Sequence, residues 1–556
     1  MAGVKYFLET FGCQMNILDS QLIEGQLRAR GMTPVADYRE ADLILFNTCS
    51  VRQHAEDKVH SRLGQVRRFK ESRPEVVVGV VGCMAERVRE DLFVQAPHVD
   101  LLCGPNELNR LPALIDEVRE RHGQVAALAG SQSRRTQVLQ RALEYDSLEA
   151  LDLSRTPDTE GSVLQSYIRV QRGCDKFCTF CVVPFVRGPE RSRPPSHIVQ
   201  EARLLAEHGC REVTLLGQTV NSYVYQENGQ RVPFAKLLER VHAVEGIDRI
   251  RFVTSFPADW DEDIFRVMRD YPRVMPYLHI PAQSGSDRIL KAMRRGYTAS
   301  SYRKLAGTAR RYVPHIALAG DFIVGFCGET EEDFQQTVDL VRKVEYESVF
   351  IFKYSPRPGT RADRNLADDV PHEVKVRRNN ELLAVQSEIS LRRKQALIGQ
   401  TVEVLVEGPS KAARKAHGET GSQLRTRGKQ APAFSRGGQS SSFAQSRGGQ
   451  SSRFVQRSDR AGSAHPTDRR MPDSAGQPAD DQRTIQLVGR TLGDLMTIFD
   501  ASPELVGAIV NVRVEDASPH TLFARLVDVL SRPRPVRAAT AVPTNRGFPL
   551  PVLRQS

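Results

Sequence analysis

The sequence predicts an α/β multidomain protein: an N-terminal open parallel α/β sheet, a central partial (βα)6 barrel, and a small C-terminal antiparallel β-barrel. Three observations predict it. At 556 residues the chain exceeds the roughly 250 to 300 residues at which a single hydrophobic core stops growing. From Lys5 onward, apolar runs alternate with amphipathic helical stretches, the pattern of βα units. After a long helix near 370 to 396 the pattern changes to short strands separated by turns.

In the first domain, residues 1-127, "VKYFLETFGC" reads as strand then loop and "SQLIEGQLRARG" as a helix stopped by Gly31. "ADLILFNTC" and "EVVVGVVGC" are the next strands. All three strands end on a cysteine: Cys13, Cys49 and Cys83. The carboxyl ends of strands in an open α/β sheet share one edge, where ligands bind at a topological switch point, so three distant cysteines are expected together. Buried cysteines also serve as small hydrophobes, and Cys103 in "VDLLCGPNE" is read that way. Residues 128-160 are polar and irregular and are expected to link domains.

The central domain, 161-396, shows six strands: "SYIRVQRG", "REVTLLGQ", "RIRFVTS", "PYLHIPAQ", "IALAGDFIVGF" and "SVFIFKYS". Helices lie between them, among them "PPSHIVQEARLLAEHG" with Ser196 as the expected N-cap and "ETEEDFQQTVDLVRKVE" with acids in its first turn. Six units are fewer than the eight of a closed barrel, so an open one is predicted. The last domain, 397-530, carries the strands "QTVEVLVEGPS", "TIQLVGRT", "DLMTIFD", "GAIVNVRVEDA" and "TLFARLV". A Ser/Gly/Arg-rich insert at 409-483 and a basic tail at 531-556 hold too few large apolar residues to offset ordering entropy, and disorder is expected there.

The net charge is +11. The insert holds about 14 Lys/Arg against about 6 Asp/Glu, and residues 530 to 556 about 5 Arg without an acid, so the folded body is near neutral and a nucleic-acid footprint on it must be local. The beginning of the chain lacks a basic region followed by an apolar one. No run approaches the roughly 20 apolar residues of a membrane span. The expectation is a cytoplasmic monomer with no membrane partner. Nine cysteines, an odd number spread through a large chain, argue for ligands or catalysis over a disulfide framework.

Residues 173 to 181, "GCDKFCTFC", follow the first strand of the central series and so lie at the carboxyl end of the barrel, where active sites gather. Zinc would need a fourth ligand for Cys174, Cys178 and Cys181. Cys210 lies beyond a helix, and His197 falls in that helix's first turn. A redox pair Cys178/Cys181 leaves Cys174 unexplained. Iron-sulfur clusters are the other thiolate site, and three thiolates on four irons leave one iron open.

This Cys-x3-Cys-x2-Cys loop, with the aromatic Phe180 just before its last cysteine, resembles the signature of the radical S-adenosylmethionine superfamily. The resemblance implies that Cys174, Cys178 and Cys181 bind a 4Fe-4S cluster whose open iron takes the amino and carboxylate groups of S-adenosyl-L-methionine. An electron from an external donor would then cleave the sulfonium to a 5′-deoxyadenosyl radical. "FGCQMN", "NTCSVR" and "GCMAER" resemble the methylthiotransferase family within that superfamily, as do "VVPFVRGPERSR", "LLGQTVNSY", "RFVTSFP", "HIPAQSGSDRILKAMRRGYT", "DFIVGFCGETEEDF" and "KYSPRPGT". This implies a second 4Fe-4S cluster on Cys13, Cys49 and Cys83, where a sulfur donor is used, and a TRAM-like C-terminal barrel that recognises RNA.

The branch most resembled acts on carbon 2 of N6-dimethylallyladenosine in the anticodon stem-loop of tRNA. For S-adenosylmethionine the expected contacts are Phe180, Gln218, Ser255, Gln283 and Gly325, at strand ends facing one mouth. Arg187, Arg191 and Arg193 are candidates for RNA phosphate. The insert could add salt-sensitive RNA affinity, or be a tolerated surface insertion. Cys327 stands where the family has proline, which removes a fixed φ from that loop. The alternatives are a sibling methylthiotransferase acting on threonylcarbamoyladenosine in tRNA or on a ribosomal-protein aspartate, and a non-catalytic iron-sulfur RNA-binding protein.

Overall fold

The structure, a computed structural model, describes residues 3–50, 53–129, 149, 151–152, 164–416, 418 and 484–534. The N-terminal domain is a six-stranded parallel sheet in the order Thr33–Pro34, Lys5–Phe11, Leu43–Thr48, Val77–Gly82, Leu101–Cys103, Val125–Ala127. Leu43–Thr48 and Val77–Gly82 are buried along their whole length, because apolar clusters cover both faces of the sheet. The short edges Thr33–Pro34 and Val125–Ala127 escape sequence reading, since two or three residues carry no periodicity. Strand order reverses between Lys5–Phe11 and Leu43–Thr48, which places the ligand crevice beyond the carboxyl ends of those two strands.

The central domain has the six expected strands, hydrogen-bonded in parallel as two triplets. One is Gln165–Arg169, Glu212–Leu216 and Arg249–Val253, and the other Tyr277–His279, Ala317–Val324 and Ser348–Lys353. The third and fourth strands lie side by side, and among the described residues no pairing joins the first to the last. The barrel is open. Its outward side chains, such as Ile168, Val213 and Phe252, meet the surrounding helices in the largest core cluster.

Thr330 caps the helix Glu331–Val344 in a capping box with Asp333, and the first-turn acids stand where expected. The helix Pro195–Glu207 departs from expectation. Pro194 is its N-cap and Ser196 lies inside the first turn, because a proline at the first helical position already has the helical φ.

The C-terminal strands Thr401–Pro409, Ile485–Thr491, Met496–Ala501, Leu522–Ser531 and Ile509–Ala517 close into a barrel in that spatial order. It is not wholly antiparallel: Met496–Ala501 and Leu522–Ser531 pair in parallel, Thr497 opposite Leu522. The barrel plugs the amino-terminal end of the central barrel. Arg249 donates to Arg490 O and Glu403 Oε1, each at 2.8 Å, and Arg211 to Gly507 O at 2.8 Å. Leu492 packs on Met275, Tyr277 and Ala317.

Three expected boundaries move. The insert does not begin at 409, since Pro409 ends a strand and Lys411–Ala416 is a helix packed on the barrel. Residues 419–483 lie outside the described residues. The tail begins later than 531, because Arg534 bonds Asp248 at 2.8 Å. Within the expected linker, Glu149 and Asp152 are buried as counter-ions of barrel arginines, and most of the rest lies outside the described residues. Charge spacing does not reveal which carboxylates a distant arginine will pull inside.

Candidate active site

Cys13 is the N-cap of the helix Gln14–Ala29, at the positive end of its dipole. Its backbone amide and its thiol both face Asn16 Oδ1, at 3.4 and 3.3 Å. Asn16 Nδ2 donates to Asn47 Oδ1 at 3.1 Å, and Asn47 Nδ2 to Asn16 O at 2.9 Å. This buried pair ties the helix start to the end of strand Leu43–Thr48. Cys49 follows that strand and donates its amide to Phe11 O at 2.8 Å. It lies so close over Gly12 that a Cβ there would stand 2.7 Å from Cys49 Cβ.

Cys83 opens the short helix Cys83–Val88 after Gly82, whose φ is +93°. A Cβ on Gly82 would meet Asn47 Oδ1 at 2.4 Å. The three strand-end cysteines thus gather around the switch-point crevice. Asn16 and Asn47 were missed as positioning residues, although each stands in a quoted cysteine motif.

In the barrel loop, Gly173 has φ +69°, and a Cβ on it would lie 2.0 Å from Pro189 O, so only glycine fits. Cys174 N donates to Gly188 O at 3.1 Å and Cys181 N to Cys178 O at 3.0 Å. Thr179 anchors the loop to Met293 O and Ala292 O. Cys174 and Cys178 are each 8% exposed. Burial pushes the Cys174 thiol up to about 11 and Cys181 up to about 12, with Cys178 beside it adding to the effect. Burial also raises Cys83 to about 11 against the opposing Arg187.

The donor chemistry fits iron-sulfur clusters: two triplets of thiols, four of the six buried, with burial holding Cys83, Cys174 and Cys181 as thiols until a metal's positive charge favours the thiolate, and each triplet lies beside a buried guanidinium. Arg295 Nη1 donates to Cys178 Sγ at 3.2 Å, and Arg187 stands against Cys13 and Cys83. Among the described residues no three His, Cys, Asp or Glu side chains are arranged to hold a single metal ion. A four-iron cluster spreads its thiolates over separate irons.

The triplets face each other across the domain interface. Met15 and Leu18 of the helix Gln14–Ala29 pack on Tyr167, Leu216 and Val253, with Cys13 at the edge of that cluster. Cys83 packs on Val182 and Val186, directly after Cys181. Asp19 locks the contact, accepting from Arg169 at 2.9 Å and Arg187 at 2.8 Å.

The expected RNA role of Arg187 and Arg193 is therefore corrected. Both are internal, Arg193 fully buried against Glu149 and Glu201 at 2.8 Å each. Only Arg191 remains partly exposed.

The expected cofactor contacts divide. Gln218 lines a small cavity at the domain interface with Met15, Arg169, Arg172, Gly173 and Arg187. The Ser255 hydroxyl is buried without a hydrogen-bond partner, which suits a polar ligand. Both ends of the fully buried Gln171 carboxamide are in the same state, a residue the sequence analysis did not single out. Gln283 has φ +69° and donates its amide to Asp321 O at 2.7 Å.

Phe180 packs edge-on against Phe326, 6.4 Å between centroids, and belongs to the cluster that holds Cys327. The room at Gly325 is taken by the Lys375 stem, since a Cβ would lie 2.3 Å from its Cγ. Cys103 is core, as expected. No helix among the described residues is long and apolar enough to cross a membrane.

Comparison with known proteins identifies the domains. Residues 5–104 match the Uncharacterized protein family UPF0004, 168–341 the Radical SAM superfamily and 480–527 the TRAM domain. A tRNA-2-methylthio-N(6)-dimethylallyladenosine synthase from Rhodopirellula baltica is 42% identical over 94% of this chain and 96% of its own. One of the same name from Moorella thermoacetica is 43% identical over 72% and 87%. Among solved structures, the radical S-adenosylmethionine methyltransferase TsrM from Kitasatospora setae aligns over 65% of this chain and 77% of its own, with 16% identity and a TM-score of 0.46. The chain belongs to the tRNA-2-methylthio-N(6)-dimethylallyladenosine synthase family of radical S-adenosylmethionine proteins.

Proposed function

We propose that this protein adds a methylthio group to carbon 2 of N6-dimethylallyladenosine in the anticodon stem-loop of tRNA. In this reading Cys174, Cys178 and Cys181 hold one 4Fe-4S cluster and Cys13, Cys49 and Cys83 a second. The observation that carries the proposal is the facing of the two triplets, with the helix capped by Cys13 seated on the concave side of the barrel strands. A catalyst that must both activate an aromatic C–H and deliver sulfur to the same carbon needs its two centres on one enclosed interface.

Bound at the barrel loop, a cluster with S-adenosylmethionine supplies the one-electron chemistry that no side chain provides. The chain's own residues do the holding. Gly173 and Thr179 shape the loop, Asn16 and Asn47 orient the first helix, and Asp19 with Arg169 and Arg187 fixes one domain on the other. The buried Ser255 hydroxyl and Gln171 carboxamide present unpaired polar atoms to a bound cofactor, and Gln218 borders the interface cavity. Gln283 and Gly325, whose amides are held by Asp321 O and Glu329 Oε2, shape the strand ends beside the site, and Phe180 supplies the packing that steadies the loop. Arg191 and the TRAM barrel are the proposed RNA contacts.

The sibling substrates are not favoured, since the relatives cited carry the dimethylallyladenosine name. Anaerobic reconstitution tests the reading. About eight irons per chain, four per cluster, and cleavage of S-adenosylmethionine on reduction are expected. Iron for one cluster, or no cleavage, refutes it.

A further inference from the structure

Arg295 is buried, yet among the described residues its polar partners include no carboxylate. Nη1 donates to Cys178 Sγ at 3.2 Å, Nε to Tyr297 OH at 2.8 Å and Nη2 to Pro281 O at 3.1 Å. The guanidinium lies over the rings of Phe256 and Tyr297, 4.7 and 5.3 Å from their centroids. Four other buried arginines are neutralised by carboxylates: Arg187 by Asp19 at 2.8 Å, Arg193 by Glu149 at 2.8 Å, Arg251 by Glu212 at 2.7 Å and Arg378 by Glu329 at 2.8 Å. A buried charge without a counter-charge is costly, so the fold has placed Arg295 against something anionic that the described residues do not supply.

We propose that Arg295 is the counter-charge of the cluster bound by Cys174, Cys178 and Cys181, raising its reduction potential through the N–H···S contact on Cys178. The inference rests on the cluster assignment above. Three thiolates outweigh the charge of a four-iron core, so the cluster is anionic, and more so after it accepts one electron from an external one-electron donor. A fixed guanidinium in a low-dielectric site favours the more anionic, reduced form, and hydrogen bonds to cluster sulfurs act in the same direction. The guanidinium beside the N-terminal triplet differs: Arg187 faces Cys83 and Cys13 but is also paired with Asp19 at 2.8 Å.

The test is an anaerobic redox titration with dithionite, followed by electron paramagnetic resonance, on the reconstituted full chain. Cys13→Ala, Cys49→Ala and Cys83→Ala are introduced so that one cluster reports. Arg295→Gln and Arg295→Met are expected to load iron and, at a fixed potential, to show about tenfold less reduced cluster, a downward shift of about 59 mV for one electron. Arg295→Lys is expected to stay within threefold of the parent.

Neutral variants that refuse iron while the lysine variant loads it also support a required positive charge. Neutral variants that load with an unshifted midpoint overturn the proposal. A lysine variant that behaves like the neutral ones does so too, because shape and not charge would then matter. Absence of iron in the unmutated chain would refute the cluster assignment itself. A shifted midpoint in a protein that does not modify tRNA would keep Arg295's role and sink the proposed substrate.

Discussion

Asp19 is the joint on which the two-centre arrangement depends, and Asp19→Asn should open it. Its side chain is 1% exposed and accepts from Arg169 at 2.9 Å and from Arg187 at 2.8 Å. Asparagine keeps the volume and removes the charge. Arg169 retains Asp152 at 2.7 Å, whereas Arg187 loses its carboxylate partner. Breaking a buried pair from one side costs about 3 to 5 kcal/mol. With one of two guanidiniums still paired the lower end applies, on the order of a hundredfold in the opening equilibrium at about 1.4 kcal/mol per factor of ten.

A multidomain chain does not unfold in one step, so the assay is native-state hydrogen exchange of the apoprotein, read on the helix Gln14–Ala29. Its amides should exchange about a hundredfold faster in Asp19→Asn, with the C-terminal barrel strands unchanged. Arg187→Met in the same chain should restore most of the protection, because an apolar replacement leaves no orphaned charge. Exchange within threefold of wild type, or no recovery in the double variant, would show that the ion pairs do not hold the domains together.

Gly173→Ala forces a left-handed φ of +69° on alanine and drives its Cβ to 2.0 Å from Pro189 O. Beyond the roughly 1 to 2 kcal/mol of the backbone conformation, the loop must move, and about half the iron should be lost on reconstitution, as read by metal analysis. Asp333 is held down to about 2 against its burial by Arg288, Ser286 and Thr330. Because the folded-state pKa is depressed, this stability is present above about pH 4 and lost as pH falls towards 2. Against the ordinary aspartate value of 3.8, and with the exposed Arg288 partner screened by solvent, that is about 1 kcal/mol. Asp333→Asn should lower the thermal midpoint at pH 7, and the gap from wild type should narrow below pH 4.

The architecture was legible wherever apolar runs were long. Leu43–Thr48, Val77–Gly82 and the first five barrel strands are buried enough for hydrophobicity to mark them, while the half-buried Ser348–Lys353 is marked by its β-branched and aromatic residues. Cys13, Cys49 and Cys83 were legible as a group because a parallel sheet carries every strand end to one edge, and Cys174, Cys178 and Cys181 because one short loop carries all three. Charges were not legible. "VRGPERSR" reads as a basic surface turn, but Arg187 and Arg193 go inside because Asp19, Glu149 and Glu201 come from distant segments to meet them. Arg295 was invisible for the same reason, as its partner is a sulfur more than a hundred residues away. Glycine roles also needed coordinates: Gly325 looks like an open cofactor contact in sequence and proves to be where Lys375 packs.

The central claim is tested most directly by mass spectrometry of tRNA nucleosides from cells lacking this protein, complemented with the full chain or with Cys174→Ala or Cys49→Ala. The account predicts that 2-methylthio-N6-dimethylallyladenosine disappears, its unthiolated precursor accumulates, and only the unaltered chain restores the product. Unchanged methylthiolation on loss of the protein, or full restoration by either cysteine variant, would contradict it.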